Sequence, residues 1–244
     1  MRDTKTVKEA LSKAVFGLAS LIMGYYAFRL LFIGMLDFRE LAYCCIVVTA
    51  MVLLGTVPRV SALSDPDEKR EAVRRAVALL FAFYLIGLVG TLFVGRVAED
   101  MTLAARRAYW AEHWKTQVNL TPLRTVRRYI SALSRGVIPK TSLRNLVGNT
   151  VLMAPMSVLA PILFERLRKP WRFLLLTALI LVSIEALQLT LCCGICDVDD
   201  VILNLFGAVA VYFVMRLPFI KKLLVRLYVL PPAETDAAVK SIDT

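Results

Sequence analysis

Long apolar runs alternate with short polar and basic segments along most of the chain. Each run is close to the ~20 residues that a helix needs to cross about 30 Å of hydrocarbon. The pattern therefore predicts an all-α fold, a polytopic transmembrane bundle of about six helices. The predicted spans cover residues 14–36, 41–57, 76–95, 144–164, 171–191 and 198–215.

The segment between the third and fourth spans is too polar to cross a membrane. Within it, apolar residues recur at helical spacing: Leu123, Val126, Ile130 and Leu133. Three arginines lie off that apolar face: Arg124, Arg127 and Arg128. The pattern predicts an amphipathic helix near residues 121–134 that lies in the membrane interface.

Composition supports a membrane protein and argues against a nucleic-acid-binding one. The 244 residues are 58% hydrophobic, with a mean hydropathy of +0.66, a net charge of +11 and a pI near 9.7. The basic residues lie between apolar runs, where membrane topology explains them better than nucleic-acid binding does. A single histidine, His113, excludes mechanisms that need two histidines.

The distribution of lysine and arginine predicts the orientation. Basic residues concentrate at both ends and in the short segments 58–75 and 165–172. Because the positive-inside rule weights short loops most, both termini are expected in the cytoplasm of a bacterium, with the spans in its cytoplasmic membrane. Segments 96–143 and 192–200 would then be extracytoplasmic. The predicted units are residues 1–100 with the first three spans, residues 101–217 with the basic segment and the last three spans, and the tail 218–244.

Polar side chains interrupt the last three apolar runs. In the predicted topology they all lie in the extracytoplasmic half of their spans, which favours a shared polar cavity open to the outside. We expect the candidate catalytic groups to be Glu185, Asp199 and Asp200. The candidate binding residues are Asn149, Gln188, Asn204, Asp197, Arg124, Arg127 and Arg128.

A structural interpretation of the same residues stays open. Asp197 could cap the sixth span, and Asp199 and Asp200 could be stabilised by the dipole of its first turn. The amides Asn149, Gln188 and Asn204 could be interhelical hydrogen bonds. Glu185 fits this interpretation less well, because a carboxylate at that depth must be paired or protonated. The three interfacial arginines are its candidate partners.

Two kinds of chemistry are alternatives. Cys193 and Cys196 form a C-x-x-C motif that could be redox-active on an oxidising face. The aspartates Asp197, Asp199 and Asp200 could instead hold Mg²⁺ for hydrolysis of a lipid-linked substrate. The ligand types do not make up a closed zinc set, and no cofactor or metal is predicted.

Several motifs resemble the VanZ-like family. They span about residues 115–215 and occur in the order of the family: Asn119-Leu120-Thr121-Pro122-Leu123, Asn145-Leu146-Val147-Gly148-Asn149 with Pro155, Ser183 with Glu185 and Gln188, and Asp197-Val198-Asp199-Asp200 with Asn204 and Gly207. At two positions the chain departs from the family. Ser157 replaces a glycine, and Cys193-Gly194-Ile195-Cys196 stands where an arginine is common.

The resemblance implies a bacterial membrane protein that is associated with resistance to glycopeptide antibiotics such as teicoplanin, or with cell-envelope homeostasis. Membrane lipids are the expected partners, together with a lipid-linked cell-wall precursor or an amphiphilic antibiotic. Whether the protein is an enzyme, and its oligomeric state, stay open.

Overall fold

The computed structural model is a bundle of long helices with one very short two-stranded sheet. It describes residues 2–30, 38–93, 102–135 and 140–232. The elements are α1 Arg2–Phe28, α2 Phe38–Ala62, α3 Pro66–Leu92, α4 Leu103–Gln117, β1 Val118–Asn119, α5 Arg124–Ser134, α6 Lys140–Leu152, α7 Ala154–Leu163, α8 Pro170–Thr190, β2 Cys196–Asp197, α9 Val198–Val214 and α10 Pro218–Arg226.

The length and hydropathy of the helices confirm the multi-span α-helical fold. In the described part of the chain, five stretches are long and apolar enough to cross a membrane: Thr4–Phe28, Tyr43–Ala62, Pro66–Leu92, Leu146–Leu163 and Pro170–Thr190. A sixth span results if α9 and α10, which meet at a bend of 70°, count as one. The protein is therefore a multi-pass membrane protein.

The first three helices extend beyond the predicted apolar runs. The polar N-terminus is already helical from Arg2, and α2 continues past Pro58 to Ala62. The predicted polar linker 58–75 is mostly helical, because Asp65 accepts a hydrogen bond from the Glu68 N–H and so begins α3. An aspartate followed by a proline at the first helical position is a typical N-terminal signal. The ends predicted for the first and third spans lie outside the described residues.

The predicted span 144–164 consists of two helices rather than one. α6 ends at Leu152 and α7 begins at Ala154, with Met153 between them. Pro155 lies in the first turn of α7, where its missing N–H costs no hydrogen bond within α7. The amphipathic helix predicted near 121–134 is present as α5, and Ile130 on its apolar face is exposed.

Two apolar clusters hold the bundle together, and α3 contributes to both. Ala19, Val48 and Phe83 belong to the cluster formed by α1, α2 and α3. Leu92 and Met153 belong to a second cluster, to which α7, α8 and α9 contribute. α3 thus connects the N-terminal helices to the C-terminal half.

A close backbone approach in the C-terminal half joins α6 to α9. A Cβ atom added to Gly207 would lie only 1.7 Å from the backbone oxygen of Thr150. Only glycine allows that approach, which brings the polar faces of the two helices together. At the opposite end of α9, Tyr212 stacks on Phe173 with ring centroids 4.3 Å apart, and its hydroxyl donates to the Arg168 carbonyl at 2.8 Å.

Candidate functional site

Three helices supply the polar side chains of a small cavity, which we call the polar pocket. α8 contributes Glu185 and Gln188, α9 contributes Asp200 and Asn204, and α6 contributes Asn149. Among the described residues, the lining consists of Leu92, Asn149, Leu152, Leu181, Ile184, Glu185, Gln188, Asp200 and Asn204. The cavity volume is about 10 Å³, which is room for about one water molecule.

Hydrogen bonds tie the walls of the polar pocket to one another. The Asn149 amide donates to Oδ1 of Asp200, which joins α6 to α9. Gln188, only 1% exposed, donates to the Leu92 carbonyl at 3.1 Å and joins α8 to the end of α3. Two of the three predicted amides therefore form interhelical hydrogen bonds.

The third amide leaves an acceptor without a partner. Asn204 is 5% exposed and donates through Nδ2 to the Asp200 carbonyl one turn earlier, at 2.7 Å. Its Oδ1 atom is buried and has no hydrogen-bond partner. A buried polar atom without a partner costs about 1–3 kcal/mol. Because Asn204 lines the polar pocket, a donor group placed there would remove that cost.

Two of the three aspartates face away from the polar pocket and hold α5. We call Asp197 and Asp199, with the residues that they bind, the aspartate clamp. Asp199 is fully buried and accepts backbone N–H groups from Leu123, Thr125 and Val126. These are the N–H groups that a helix start leaves without intrahelical partners. Asp199 thus caps a helix that is more than 70 residues away in sequence.

Asp197 completes the aspartate clamp. It accepts from the Asn119 amide at 2.8 Å and from the Thr125 hydroxyl at 2.7 Å. It is also the N-cap of α9, because its carboxylate accepts from the Asp199 N–H. Strands β1 and β2 pair in parallel, with Asn119 opposite Asp197. The structural interpretation that Asp197 caps the sixth span is therefore confirmed, whereas the cap that Asp199 provides for α5 was not predicted.

Glu185 connects the polar pocket to the aspartate clamp. It is half-buried, and its Oε2 accepts from the Asp197 N–H at 3.2 Å. The Cys196 thiol is a second neighbour. Burial, followed by the charge and hydrogen bond of Glu185, raises the pKa of the Cys196 thiol above its ordinary value.

The predicted ion pair between Glu185 and the arginines of α5 is not present in the described structure. The side chains of Arg124, Arg127 and Arg128 are all exposed, and the ion pairs of the described residues do not include them. The reason is the aspartate clamp, which fixes α5 through its backbone N–H groups rather than through its basic side chains. The three exposed arginine side chains are therefore available to contact solvent or lipid headgroups.

The geometry does not favour the redox and magnesium alternatives. Burial and Glu185 raise the pKa of the Cys196 thiol and so keep it protonated, whereas reactive cysteines have a lowered pKa. All four carboxylate oxygens of Asp197 and Asp199 accept hydrogen bonds from the aspartate clamp or the α9 cap. In the described part of the chain, no group of three His, Cys, Asp or Glu residues is arranged to hold a metal.

The sequence prediction missed Leu92, Asn119 and Thr125. Leu92 contributes only its carbonyl, which no side-chain pattern could indicate. Asn119 was noted within a motif, but its partner Asp197 is 78 positions away. A local signal did exist, since Asn119 Oδ1 accepts from the Thr121 N–H at 3.3 Å, an Asx turn of the kind that asparagine favours.

Comparison with known proteins identifies a family for this chain. The model of the family described as VanZ/LLP1 matches residues 81–221, which is more than half of the chain. This range begins inside α3, ends in α10 and contains every residue of the polar pocket and of the aspartate clamp. Neither the curated proteins nor the solved structures gave a match.

Proposed function

The chain belongs to the VanZ/LLP1 family, and we propose that it binds an amphiphilic molecule through the polar pocket at the outer face of the bacterial cytoplasmic membrane. Such binding would contribute to glycopeptide resistance of the teicoplanin type or to cell-envelope homeostasis. The observation that carries the proposal is the buried, unpartnered Asn204 Oδ1 in a pocket shared with Glu185 and Asp200.

The polar pocket favours a ligand group that donates hydrogen bonds. Glu185, Asp200 and the Asn204 oxygen all accept hydrogen bonds. An ammonium, amide or hydroxyl group would therefore gain hydrogen bonds from two or three side chains. Lipid-linked cell-wall precursors and lipid-tailed glycopeptides both carry such groups next to an apolar chain. In this proposal Glu185 is the anchor and Asn204 the second acceptor.

Antibiotic susceptibility tests the proposed function. Wild type, Glu185→Gln and the control Glu165→Gln are expressed at matched levels in a susceptible bacterium, and the inhibitory concentration of teicoplanin is measured. Glu165 is an exposed glutamate next to α7, outside the polar pocket. We expect wild type and Glu165→Gln to raise resistance several-fold and Glu185→Gln to abolish the increase. If wild type changes nothing, the resistance role fails, and if Glu185→Gln equals wild type, the anchoring role fails.

Orientation needs a separate test, because the proposal requires α5 outside the cell. In a background without native cysteines, Ser134→Cys and Ser64→Cys place thiols at two exposed serines, one at the end of α5 and one between α2 and α3. We expect a membrane-impermeant maleimide to label only Ser134→Cys in intact cells. Labelling of Ser64→Cys alone would reverse the topology and contradict the proposal.

A second candidate function is an enzyme that acts on a lipid-linked substrate. The observation in its favour is that the polar pocket has room for one water molecule beside Glu185 and Asn204, the arrangement that a general base needs. Asp199 would then be a positioning residue, because both of its oxygens hold α5. Lipid and cell-wall-precursor profiles from cells with and without the protein distinguish the two candidates. Only an enzyme would produce a new or depleted lipid species that Glu185→Gln restores.

A further inference from the structure

A second groove lies at the end of α9 where α10 begins, away from the polar pocket. It is formed by α7, the turn after it, the end of α9 and α10, and its volume is about 80 Å³. We call it the basic groove, and its polar lining consists of Ser157, Arg168, Tyr212, Arg216 and Lys221. Neither the polar pocket nor the aspartate clamp uses any of these residues.

The charged residues in the described lining of the basic groove are all basic. Arg168 comes from the turn after α7, Arg216 from the turn after α9 and Lys221 from α10, and the part of the lining that the structure describes contains no acidic residue. Arg168 does form an ion pair with Glu165 at 3.5 Å, but the glutamate side chain is 76% exposed and lies outside the lining. Three cations that converge from three elements favour an anion.

The guanidinium of Arg216 is held in place by its neighbours. Its Nη1 donates to the Arg168 carbonyl at 2.6 Å and to the Tyr212 hydroxyl at 3.0 Å. The guanidinium carbon also lies over the Tyr212 ring, 5.5 Å from its centroid. Both hydrogen bonds use Nη1, so the donors on Nε and Nη2 remain for a ligand. A guanidinium fixed in this way binds an anion with little loss of side-chain entropy.

The remaining walls of the basic groove are apolar. Val158, Ile162 and Leu224 contribute aliphatic side chains. α10 itself is amphipathic, with Phe219 and Leu223 exposed, and it turns 70° away from α9. Such a helix is typical of the membrane interface, where its apolar face meets the acyl chains. The ligand should therefore carry an anionic head and an apolar body.

We propose that the basic groove binds the phosphate of an anionic phospholipid from the surrounding membrane. Arg216 and Lys221 contact the phosphate, while the acyl chains lie along the aliphatic wall and α10. This inference is independent of the function proposed for the polar pocket.

Native mass spectrometry of the detergent-solubilised full chain tests the lipid site. The protein is titrated with phosphatidylglycerol or with phosphatidylcholine of the same acyl chains. Lys221→Gln removes a groove cation, and Lys222→Gln is the matched control, because Lys222 is the exposed neighbour outside the lining. We expect wild type and Lys222→Gln to retain phosphatidylglycerol preferentially. Lys221→Gln should bind it about fivefold more weakly, which is what one basic residue contributes near an anionic membrane surface.

Three results would overturn the proposal. The first is equal retention of the two lipids by wild type. The second is equal weakening by Lys221→Gln and Lys222→Gln. The third is displacement of phosphatidylglycerol by inorganic phosphate at the same concentration, which would assign the groove to a soluble anion. Retention of phosphatidylcholine measures nonspecific lipid contact and should be the same for all three proteins, so a selective loss of phosphatidylglycerol cannot come from misfolding.

Discussion

The substitution Asp199→Asn should release α5 from the bundle. Asp199 is fully buried and accepts three backbone N–H groups, from Leu123, Thr125 and Val126. Asparagine in its better orientation keeps an oxygen for the Thr125 and Val126 N–H groups, but its amide nitrogen then faces the Leu123 N–H, so one of the three hydrogen bonds to a charged acceptor is lost and two are weakened. Each is worth about 1.5–3 kcal/mol.

Leu123 adds to the effect of Asp199→Asn. Its φ of 60° lies in the left-handed region, which costs a residue other than glycine about 1–2 kcal/mol. The hydrogen bond to Asp199 stabilises that conformation. Water can replace part of the lost bonding at an interfacial helix, so we expect the free energy that keeps α5 docked to fall by about 2–4 kcal/mol.

Trypsin cleavage measures the release directly. α5 carries three exposed arginines, and cleavage there requires the helix to open locally. When opening is fast relative to cleavage, the rate follows the open population. A loss of 2–4 kcal/mol therefore predicts cleavage within 124–128 that is about 30 to 1000 times faster in Asp199→Asn.

The neighbouring aspartate provides the control. Asp200→Asn makes the same chemical change one residue later, but Asp200 accepts from Asn149 on α6 and not from α5. We expect cleavage of α5 in Asp200→Asn to stay close to wild type. Equal acceleration in both variants would show that α5 opens through general destabilisation, and no acceleration in Asp199→Asn would refute the aspartate clamp.

Three further predictions concern stability and thiol chemistry. Gly207→Ala should lower the melting temperature through a cost of about 1–3 kcal/mol from overpacking against α6, whereas Gly148→Ala, with open space around it, should not. Cys192→Gly should raise the melting temperature. Cys192 lies just after α8 with a φ of 51°, a left-handed conformation that costs a residue other than glycine about 1–2 kcal/mol. With Cys196 as the only cysteine, Glu185→Gln should speed alkylation near pH 8.5, because Glu185 raises the pKa of that thiol.

Each of these predictions has an outcome that contradicts it. Equal melting temperatures for Gly207→Ala and Gly148→Ala would contradict the close approach of α6 and α9. A lower melting temperature for Cys192→Gly would mean that the cysteine side chain contributes more than the backbone strain costs. Unchanged or slower alkylation of Cys196 in the Glu185→Gln protein would show that the two side chains do not interact.

The apolar pattern was enough to predict the multi-span α-helical fold, but not the break between α6 and α7 or the helices α4 and α10. Asn149 and Asp200 are 51 positions apart, yet topology placed them at the same depth because spans of equal length run between the same two membrane faces. The period of 3.6 residues likewise predicted α5. These features depend on hydrophobicity and on chain direction, which any single sequence carries.

The direction in which each aspartate points could not be predicted in the same way. The residue type is the same for Asp197, Asp199 and Asp200. The rotation of α9 about its axis therefore decides which aspartates are hydrogen-bonded to α5 and which to α6. That rotation follows from the contact of Gly207 with Thr150, a tertiary contact. Charge complementarity suggested arginine partners for Glu185. In the structure the carboxylate of Asp199 instead accepts the unpaired backbone N–H groups at the start of α5, and Glu185 accepts the Asp197 N–H.

The spacing D-x-D-D-x-x-x-N now has a physical explanation. Asp199 and Asp200 are adjacent on α9 and so point about 100° apart, which lets one bind α5 and the other bind α6. Asn204 lies one turn after Asp200 and donates to its carbonyl. One short segment therefore fixes an interfacial basic helix on one side and lines the polar pocket on the other. Because Glu185 accepts from the Asp197 N–H, a ligand that binds Glu185 would directly change the hydrogen bonding of Asp197, which helps to hold α5 in place.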